Sequence, residues 1–155
     1  MKKKVFIFSL IFLIIDIISK TIIKNMMSLY ESIKILPNFF NLTYVINDGA
    51  AFSILEGKQL FLIILAIVLF FIIINYIRKD ELNNYKVLYY SLLISGMIGN
   101  LIDRIVYNGV IDFLDFTIFG FNVPIFNLAD TFIVISVLLI LIEIIRKDFY
   151  GNSSK

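Results

Sequence analysis

Four long apolar stretches dominate the sequence, at residues 5–23, 60–77, 87–102 and 128–145. A helix that crosses a bilayer needs about 20 mostly apolar residues, and each stretch comes near that length. Of the 155 residues, 60% are hydrophobic, which is more than the interior of a soluble domain of this size can bury. We therefore predict that residues 1–155 form a single all-α membrane domain with four transmembrane helices.

The positive charges are distributed unevenly about these stretches. Nine of the fourteen lysines and arginines stand before the first stretch, between the second and third, or after the fourth, which are connections on the same side of the membrane. They are Lys2, Lys3, Lys4, Arg78, Lys79, Lys86, Arg146, Lys147 and Lys155. Because positive residues are retained in the cytoplasm, this bias predicts that both termini are cytoplasmic. The connections 25–59 and 103–127 are then expected on the outer side. Residues 39–47 are rich in aromatic and β-branched residues and precede an Asp-Gly turn signal, which predicts a small β-element between helices 1 and 2.

The chain contains no cysteine and no histidine. Thiolate nucleophiles, serine–histidine catalysis and the commonest zinc ligands are therefore excluded. Any chemistry has to be carried by carboxylates, lysine, hydroxyl or backbone groups. The net charge of +2 is too small to favour nucleic-acid binding. We expect no cofactor and no bound metal, and an activity that survives chelators and thiol reagents.

Charged and polar residues within or beside the apolar stretches are functional candidates, because an ionised side chain is costly in a bilayer. Asp16 and Lys20 are four residues apart, so they share one helix face and can form an ion pair. Asn100, Asp103 and Arg104 fall within about one helical turn at the end of the third stretch. Each group also has a purely structural interpretation, as a self-neutralising pair or as a helix-packing patch.

Two further aspartates suggest a carboxylate pair. Asp112 is bracketed by apolar residues and has no capping role, whereas Asp130 follows the potential N-cap Asn127 and could simply stabilise a helix terminus. Two adjacent carboxyl groups share one proton, so one can act as general base on a water and the other as general acid. Such a pair can also bind a divalent metal or relay protons, so it does not by itself decide the function.

Five short motifs, in order along the chain, resemble those of the bacterial lipoprotein signal peptidases, the signal peptidase II family. They are residues 16–20 (DIISK), 47–53 (NDGAAFS), 99–104 (GNLIDR), 110–113 (VIDF) and 126–130 (FNLAD). The resemblance implies a four-span aspartic peptidase with a cradle-like β-element outside the membrane. It also implies cleavage of prolipoproteins just before a cysteine that carries a diacylglyceryl group.

The resemblance further implies roles for individual residues. The catalytic pair of the family maps onto Asp112 and Asp130. Its supporting polar residues map onto Asp16, Lys20, Asn47, Gly49, Asn100, Arg104 and Asn127, with Asp103 beside them. The family usually has glycine four residues before the first catalytic aspartate, where this chain has Asn108 followed by Gly109.

The prediction is therefore an intramembrane aspartic endopeptidase of the bacterial cytoplasmic (inner) membrane, with its site at the edge of the outer leaflet. Its expected partners are diacylglyceryl-modified prolipoproteins and membrane lipid, and we expect a monomer. One alternative is a small multi-pass transporter or proton-relay subunit, which would distribute its acids across the membrane. The second stretch contains no charge, which disfavours that alternative. A second alternative is a structural membrane protein without activity.

Overall fold

The computed structural model describes residues 1–49, 55 and 57–151, so residues 50–53 of the second motif and Lys155 lie outside the described residues. The helices are α1 (Lys2–Met26), α2 (Gln59–Lys79), α3 (Asn84–Tyr107) and α4 (Leu128–Gly151). The strands are β1 (Ser32–Leu36), β2 (Phe40–Asn47), β3 (Val110–Ile118) and β4 (Phe121–Asn122). The first pair of strands connects α1 to α2, and the second pair connects α3 to α4.

Three of these helices are long and apolar enough to cross a membrane, namely α1, α2 and the segment Leu128–Lys147 of α4. The remaining helix, α3, does not reach the same hydropathy within the described residues. The physical reason is its position, because α1, α2 and α4 all pack against α3 and half of its 24 residues are buried. A helix that faces protein on several sides can carry polar residues that a lipid-facing helix cannot.

Small and hydroxyl side chains bring the helices of the bundle into close contact. Ser91 Oγ of α3 donates to the Val5 carbonyl oxygen of α1 (3.2 Å), and Ser136 Oγ of α4 donates to the Tyr89 carbonyl oxygen (2.8 Å). At Gly96, an added methyl group would collide with the backbone of Ala129, at the start of α4. Close approach through small residues and hydroxyl hydrogen bonds is the usual way in which membrane helices associate.

The sheet is antiparallel throughout, with the order β1-β2-β3-β4. The predicted β-element is therefore present, but it does not lie only between the first two helices, because the connection between α3 and α4 supplies half of its strands. Residues 110–118 mix β-branched, aromatic and acidic residues, and this strand pattern overlaps the fourth motif but was not predicted as a strand. Ile23 of α1 and Met27, the residue that follows α1, pack against Tyr44, Ile111 and Phe113 of the sheet and join it to the bundle.

The junction between α3 and β3 explains the residues at positions 108 and 109. Asn108 ends α3 in the left-handed conformation (φ 55°, ψ 30°), which asparagine tolerates better than most residues. Gly109 lies against β2, where a Cβ atom would come within 2.6 Å of Ile46 Cγ2 and 3.0 Å of the Asn47 carbonyl oxygen. The asparagine thus makes the turn, and the glycine allows β3 to begin directly beside the end of β2.

The contact between α3 and α4 can be tested by adding one methyl group. We expect Gly96→Ala to lower the free energy of unfolding by about 1–3 kcal/mol, because the backbones must separate to accept it. Val106→Ala is the matched control, since it places alanine at an exposed position of the same helix. Thermal unfolding in detergent measures both, and equal midpoints for the two variants would contradict the close packing at Gly96.

Candidate active site

Asp112 lies on β3 and is held by two amide side chains from other parts of the chain. Its carboxyl group is buried, with the residue only 2% exposed. Asn47 Nδ2, at the end of β2, donates to Oδ2 (3.0 Å), and Asn127 Nδ2, just before α4, donates to Oδ1 (2.7 Å). The pairing of β2 with β3 sets the first contact, because it aligns Asn47 with Val110 at the start of β3.

Asn127 also holds the second aspartate, Asp130. Its Oδ1 accepts from the Asp130 backbone N–H (2.9 Å), and its own backbone N–H donates to Asp130 Oδ2 (3.3 Å), which is a reciprocal helix cap. The capping role considered for Asp130 is therefore present. The other carboxylate oxygen of Asp130, Oδ1, accepts a hydrogen bond from Asn100 Nδ2 of α3 (2.7 Å). One asparagine residue thus binds both carboxyl groups, that of Asp112 through its side chain and that of Asp130 through its backbone N–H.

A buried group of three charged residues lies beside this pair. Lys20 Nζ is 2.8 Å from Asp16 Oδ2 and 2.9 Å from Asp103 Oδ2, and all three side chains are almost fully buried. The ion pair predicted from the spacing of Asp16 and Lys20 is present, but it does not neutralise itself, because a second carboxylate shares the lysine. Lys20 Nζ also donates to Asn100 Oδ1 (3.2 Å), which links the charged group to the aspartate pair.

The two carboxylates of this group each bind a backbone N–H of a neighbouring element. Asp16 Oδ1 accepts from the Ala129 N–H in the first turn of α4 (2.9 Å). Asp103 Oδ2 accepts from the Ile111 N–H (3.2 Å), directly before Asp112. The group therefore fixes both chain segments that carry the candidate catalytic aspartates.

Arg104 connects α3 to the end of β2. Its Nη2 donates to the Gly49 carbonyl oxygen (3.2 Å) and its Nη1 to the Asn100 carbonyl oxygen (3.3 Å). The Gly49 N–H in turn donates to Asn47 Oδ1 (3.0 Å). The structure thus brings every candidate site residue into one hydrogen-bonded and ion-paired network: Asp16, Lys20, Asn47, Gly49, Asn100, Asp103, Arg104, Asp112, Asn127 and Asp130.

One member of this region was missed from the sequence. Gln59, the first residue of α2, is buried, and its Nε2 donates to the carbonyl oxygen of Asp48. Asp48 stands in the chain between Asn47 and Gly49, which both belong to the network. A polar residue at the border of a strongly apolar stretch was the available signal. Within the described residues, no group of three or more acidic side chains is arranged to hold a metal ion.

Electrostatics distinguish Asp112 from an ordinary carboxyl group. Burial, together with the neighbouring charge of Asp130, raises the pKa of Asp112 to about 7, although the hydrogen bonds from Asn47 and Asn127 oppose the shift. A carboxyl group that titrates near neutral pH beside a second carboxyl group can donate or accept a proton during a reaction.

Comparison with known proteins identifies the family of the chain. A family model described as signal peptidase (SPase) II matches residues 8–146. The chain belongs to the signal peptidase II family. It is 43% identical over 152 residues to a lipoprotein signal peptidase of Staphylococcus haemolyticus, over 94% of this chain and 96% of the relative. The resemblance drawn from the five motifs is therefore confirmed, and so is the expectation that the chain is a peptidase.

Two solved structures share the fold of this signal peptidase II. Both are described as bacterial membrane enzymes determined by the in meso method, at 2.3 and 1.9 Å resolution. The first has a TM-score of 0.88 at 35% identity and covers 97% of this chain and 91% of its own. The second has a TM-score of 0.82 at 37% identity, with coverages of 90% and 91%. At these coverages the shared fold extends over the helices and the sheet.

The contribution of the buried charged group to the stability of this signal peptidase II can be tested by removing its lysine. We expect Lys20→Met to lower the free energy of unfolding by about 3–5 kcal/mol, because it leaves Asp16 and Asp103 buried without their cation. Lys24→Met removes the same charge one turn later on α1, where the lysine is exposed and lies over the Tyr107 ring, and should cost about 1 kcal/mol or less. Denaturant unfolding in detergent compares them.

A second substitution separates the loss of charge balance from the loss of packing. Adding Asp103→Asn to Lys20→Met should recover part of the stability, because one buried charge is removed with its partner. If both lysine variants unfolded at the same denaturant concentration, the ion pairs would not hold the site together.

Proposed function

We propose that Asp112 and Asp130 are the catalytic pair of an aspartic endopeptidase that removes the signal peptide from diacylglyceryl-modified prolipoproteins, cutting before the lipidated cysteine. The observation that carries this proposal is the bridge at Asn127, which binds the Asp112 carboxyl group and caps the helix turn of Asp130. Membership of a peptidase family disfavours the transporter and the inactive structural protein considered above.

The proposed reaction assigns different roles to the two carboxyl groups. Asp130 stands at the N-terminus of α4, where the helix dipole favours a negative charge, and it accepts a proton from the attacking water. Asp112, buried and protonated, donates its proton to the oxygen of the scissile carbonyl. Collapse of the tetrahedral intermediate then breaks the peptide bond: the proton held by Asp130 passes to the leaving amine of the cysteine, and one hydroxyl of the intermediate returns a proton to Asp112 as the new carboxyl group forms.

The asparagines support this chemistry because amides do not titrate. Asn47 and Asn127 donate to the two oxygens of Asp112, and Asn100 donates to Asp130. These contacts fix the orientation of each carboxyl group without adding a competing proton. Preorganised hydrogen bonds of this kind remove much of the rearrangement that would otherwise accompany the reaction.

The proposed topology has four membrane-spanning helices in a single domain, residues 1–155, with both termini in the cytoplasm. The 24 residues of α3 extend over about 36 Å, which exceeds the roughly 30 Å of a bilayer core. The positive charges before α1, between α2 and α3 and after α4 support the same orientation. The aspartate pair then lies at the edge of the outer leaflet, where a monomeric enzyme can receive a lipid-anchored substrate laterally.

The catalytic assignment is tested by removing each carboxylate in turn. We expect Asp112→Asn and Asp130→Asn each to lower kcat/KM for a diacylglyceryl-modified prolipoprotein by about three orders of magnitude or more, and the double variant to be little worse, because the two groups act as one unit. Asp115→Asn is the matched control on the same strand, where the carboxylate accepts hydrogen bonds from Asn41 and Thr43 and from no catalytic candidate among the described residues. Gel-shift and mass analysis of the product measure the cleavage.

Each outcome of this experiment is informative about one residue. Activity near that of the wild type in either single variant, with normal insertion in the membrane, removes that residue from the catalytic pair. If Asp115→Asn also lost its activity, then the loss in Asp112→Asn would reflect damage to β3 and would not identify Asp112 as catalytic.

The raised pKa of Asp112 predicts a pH dependence. If Asp112 must be protonated, kcat/KM falls as the pH rises through about 7, because the acid form is then lost. Asn47→Ala removes a hydrogen bond that stabilises the charged form, so the pKa of Asp112 rises and the decline moves to higher pH. Asn41→Ala is the control, since its amide binds Asp115 instead. A decline at the same pH in wild type and Asn47→Ala contradicts the assignment of the proton donor.

The orientation is tested by single cysteines in this cysteine-free chain. Lys34→Cys on β1 should react with an impermeant thiol reagent in intact cells whose outer membrane, if present, is permeabilised. Glu81→Cys, between α2 and α3, should react only after the cytoplasmic membrane is opened. Both positions are exposed, so access alone does not distinguish them. The reverse pattern would place the aspartates on the cytoplasmic side, out of reach of an exported precursor.

A further inference from the structure

The hairpin between β3 and β4 has an unusual turn. Ile118 pairs with Phe121, and the two residues between them, Phe119 and Gly120, both have positive φ, at 52° and 81°. A two-residue turn of this kind strongly prefers Asn-Gly or Asp-Gly, because most side chains are strained at positive φ. Phenylalanine in the first position is therefore not explained by the requirements of the turn.

The same phenylalanine is almost completely exposed. Phe119 is 96% exposed and Phe121 is 78% exposed, so neither ring contributes to the core. Strained residues that folding does not require are a reason to look for a function. An asparagine at position 119 would fit the turn better and would expose no apolar ring.

A second turn brings further apolar side chains to the same end of the sheet. The Thr117 N–H donates to the Phe39 carbonyl oxygen (2.9 Å), so the turn between β1 and β2 lies beside the β3–β4 hairpin. Leu36 and Phe39 in this turn are exposed. We call the exposed apolar residues of this end the aromatic tip, namely Leu36, Phe39, Ile118, Phe119 and Phe121.

The two stretches of chain that form the aromatic tip carry no charge. Residues 35–47 and 116–129 contain no Asp, Glu, Lys or Arg, although 17% of the whole chain is charged. Large exposed apolar patches on a protein surface mark contacts with a partner or a membrane. Phenylalanine and leucine side chains are among those that protein segments lying on a membrane insert at the boundary between headgroups and acyl chains.

We propose that the aromatic tip inserts into the interface of the outer leaflet and anchors the sheet to the bilayer. This proposal rests on the outer placement of the sheet given under the proposed function. A bilayer is the favoured partner because the helices of the same chain already lie in it and because an uncharged tip of apolar side chains offers no polar specificity for a protein.

Such an anchor would act on the catalytic strand. Phe119 follows Asp112 by seven positions along β3 and its turn, which corresponds to roughly 23 Å of extended chain. The network at Asp103 and Asn47 fixes the first end of β3, and the aromatic tip would fix the other at the membrane surface. Two attachments hold the strand at a constant depth, where the lipidated cysteine of a substrate is presented.

The position of the tip can be measured with a single tryptophan, because the chain contains none. Phe119→Trp is reconstituted in phosphatidylcholine vesicles with brominated acyl chains, and its fluorescence is compared with that in unbrominated vesicles. We expect a blue-shifted emission that bromine near the interface quenches. Phe71→Trp on the exposed face of α2 provides a reference within the bilayer, and Glu81→Trp provides one outside it.

Two results would overturn the anchor. An emission from Phe119→Trp that is as red and as insensitive to bromine as that of Glu81→Trp places the tip in water. An emission that is blue-shifted but insensitive to bromine shows that protein, such as a second copy of the chain, covers the tip instead of lipid.

A functional variant separates the anchor from catalysis. Phe119→Asn suits the turn, so we expect unchanged or higher thermal stability and unchanged cleavage of a lipidated prolipoprotein in detergent, but slower cleavage in vesicles. An unchanged ratio of vesicle to detergent rates would refute the anchor and leave the catalytic pair untouched. Failure of the proposed function appears differently, as wild-type protein without cleavage in either medium.

Discussion

The buried contacts of Lys20 with Asp16 and Asp103 hold the site together. This one ammonium group lies on α1, pairs with a carboxylate of α3 and neighbours a second on its own helix. Asp16 binds the N–H group of Ala129, in the first turn of α4, and Asp103 binds the N–H group of Ile111, directly before Asp112. Buried charges are tolerated only when they are paired and hydrogen-bonded, so the geometry of three helices and one strand is tied to a single lysine.

The charged group and the aspartate pair are separated by amides. Asn100 accepts from Lys20 and donates to Asp130, and Asn127 lies between Asn100 and Asp112. The lysine can therefore stabilise the fold without forming an ion pair with Asp112. That separation allows burial to keep the pKa of Asp112 near neutrality, as a proton donor in peptide hydrolysis requires.

Short sequence patterns predicted much of the site, but they did not predict contacts between segments that are far apart in the chain. The helical spacing of Asp16 and Lys20 and the capping position of Asn127 gave correct contacts. The strand β3 was missed although residues 110–118 have a strand pattern, and its pairing with β2 left no local signal because β2 lies about 70 residues earlier. Likewise, the apolar content of α3 predicted a membrane span but not its central position, where its polar residues are buried against the other helices.

Infrared spectroscopy of the carboxyl groups tests most directly whether Asp112 carries the proton of the pair. A protonated carboxyl group has a carbonyl band that disappears on ionisation, and the account predicts such a band in the wild-type enzyme that is lost as the pH passes about 7. The band should be missing in Asp112→Asn and retained in Asp115→Asn. In Asp130→Asn it should disappear at lower pH, because the neighbouring negative charge is gone. A band that still titrates near pH 7 in Asp112→Asn would contradict the account.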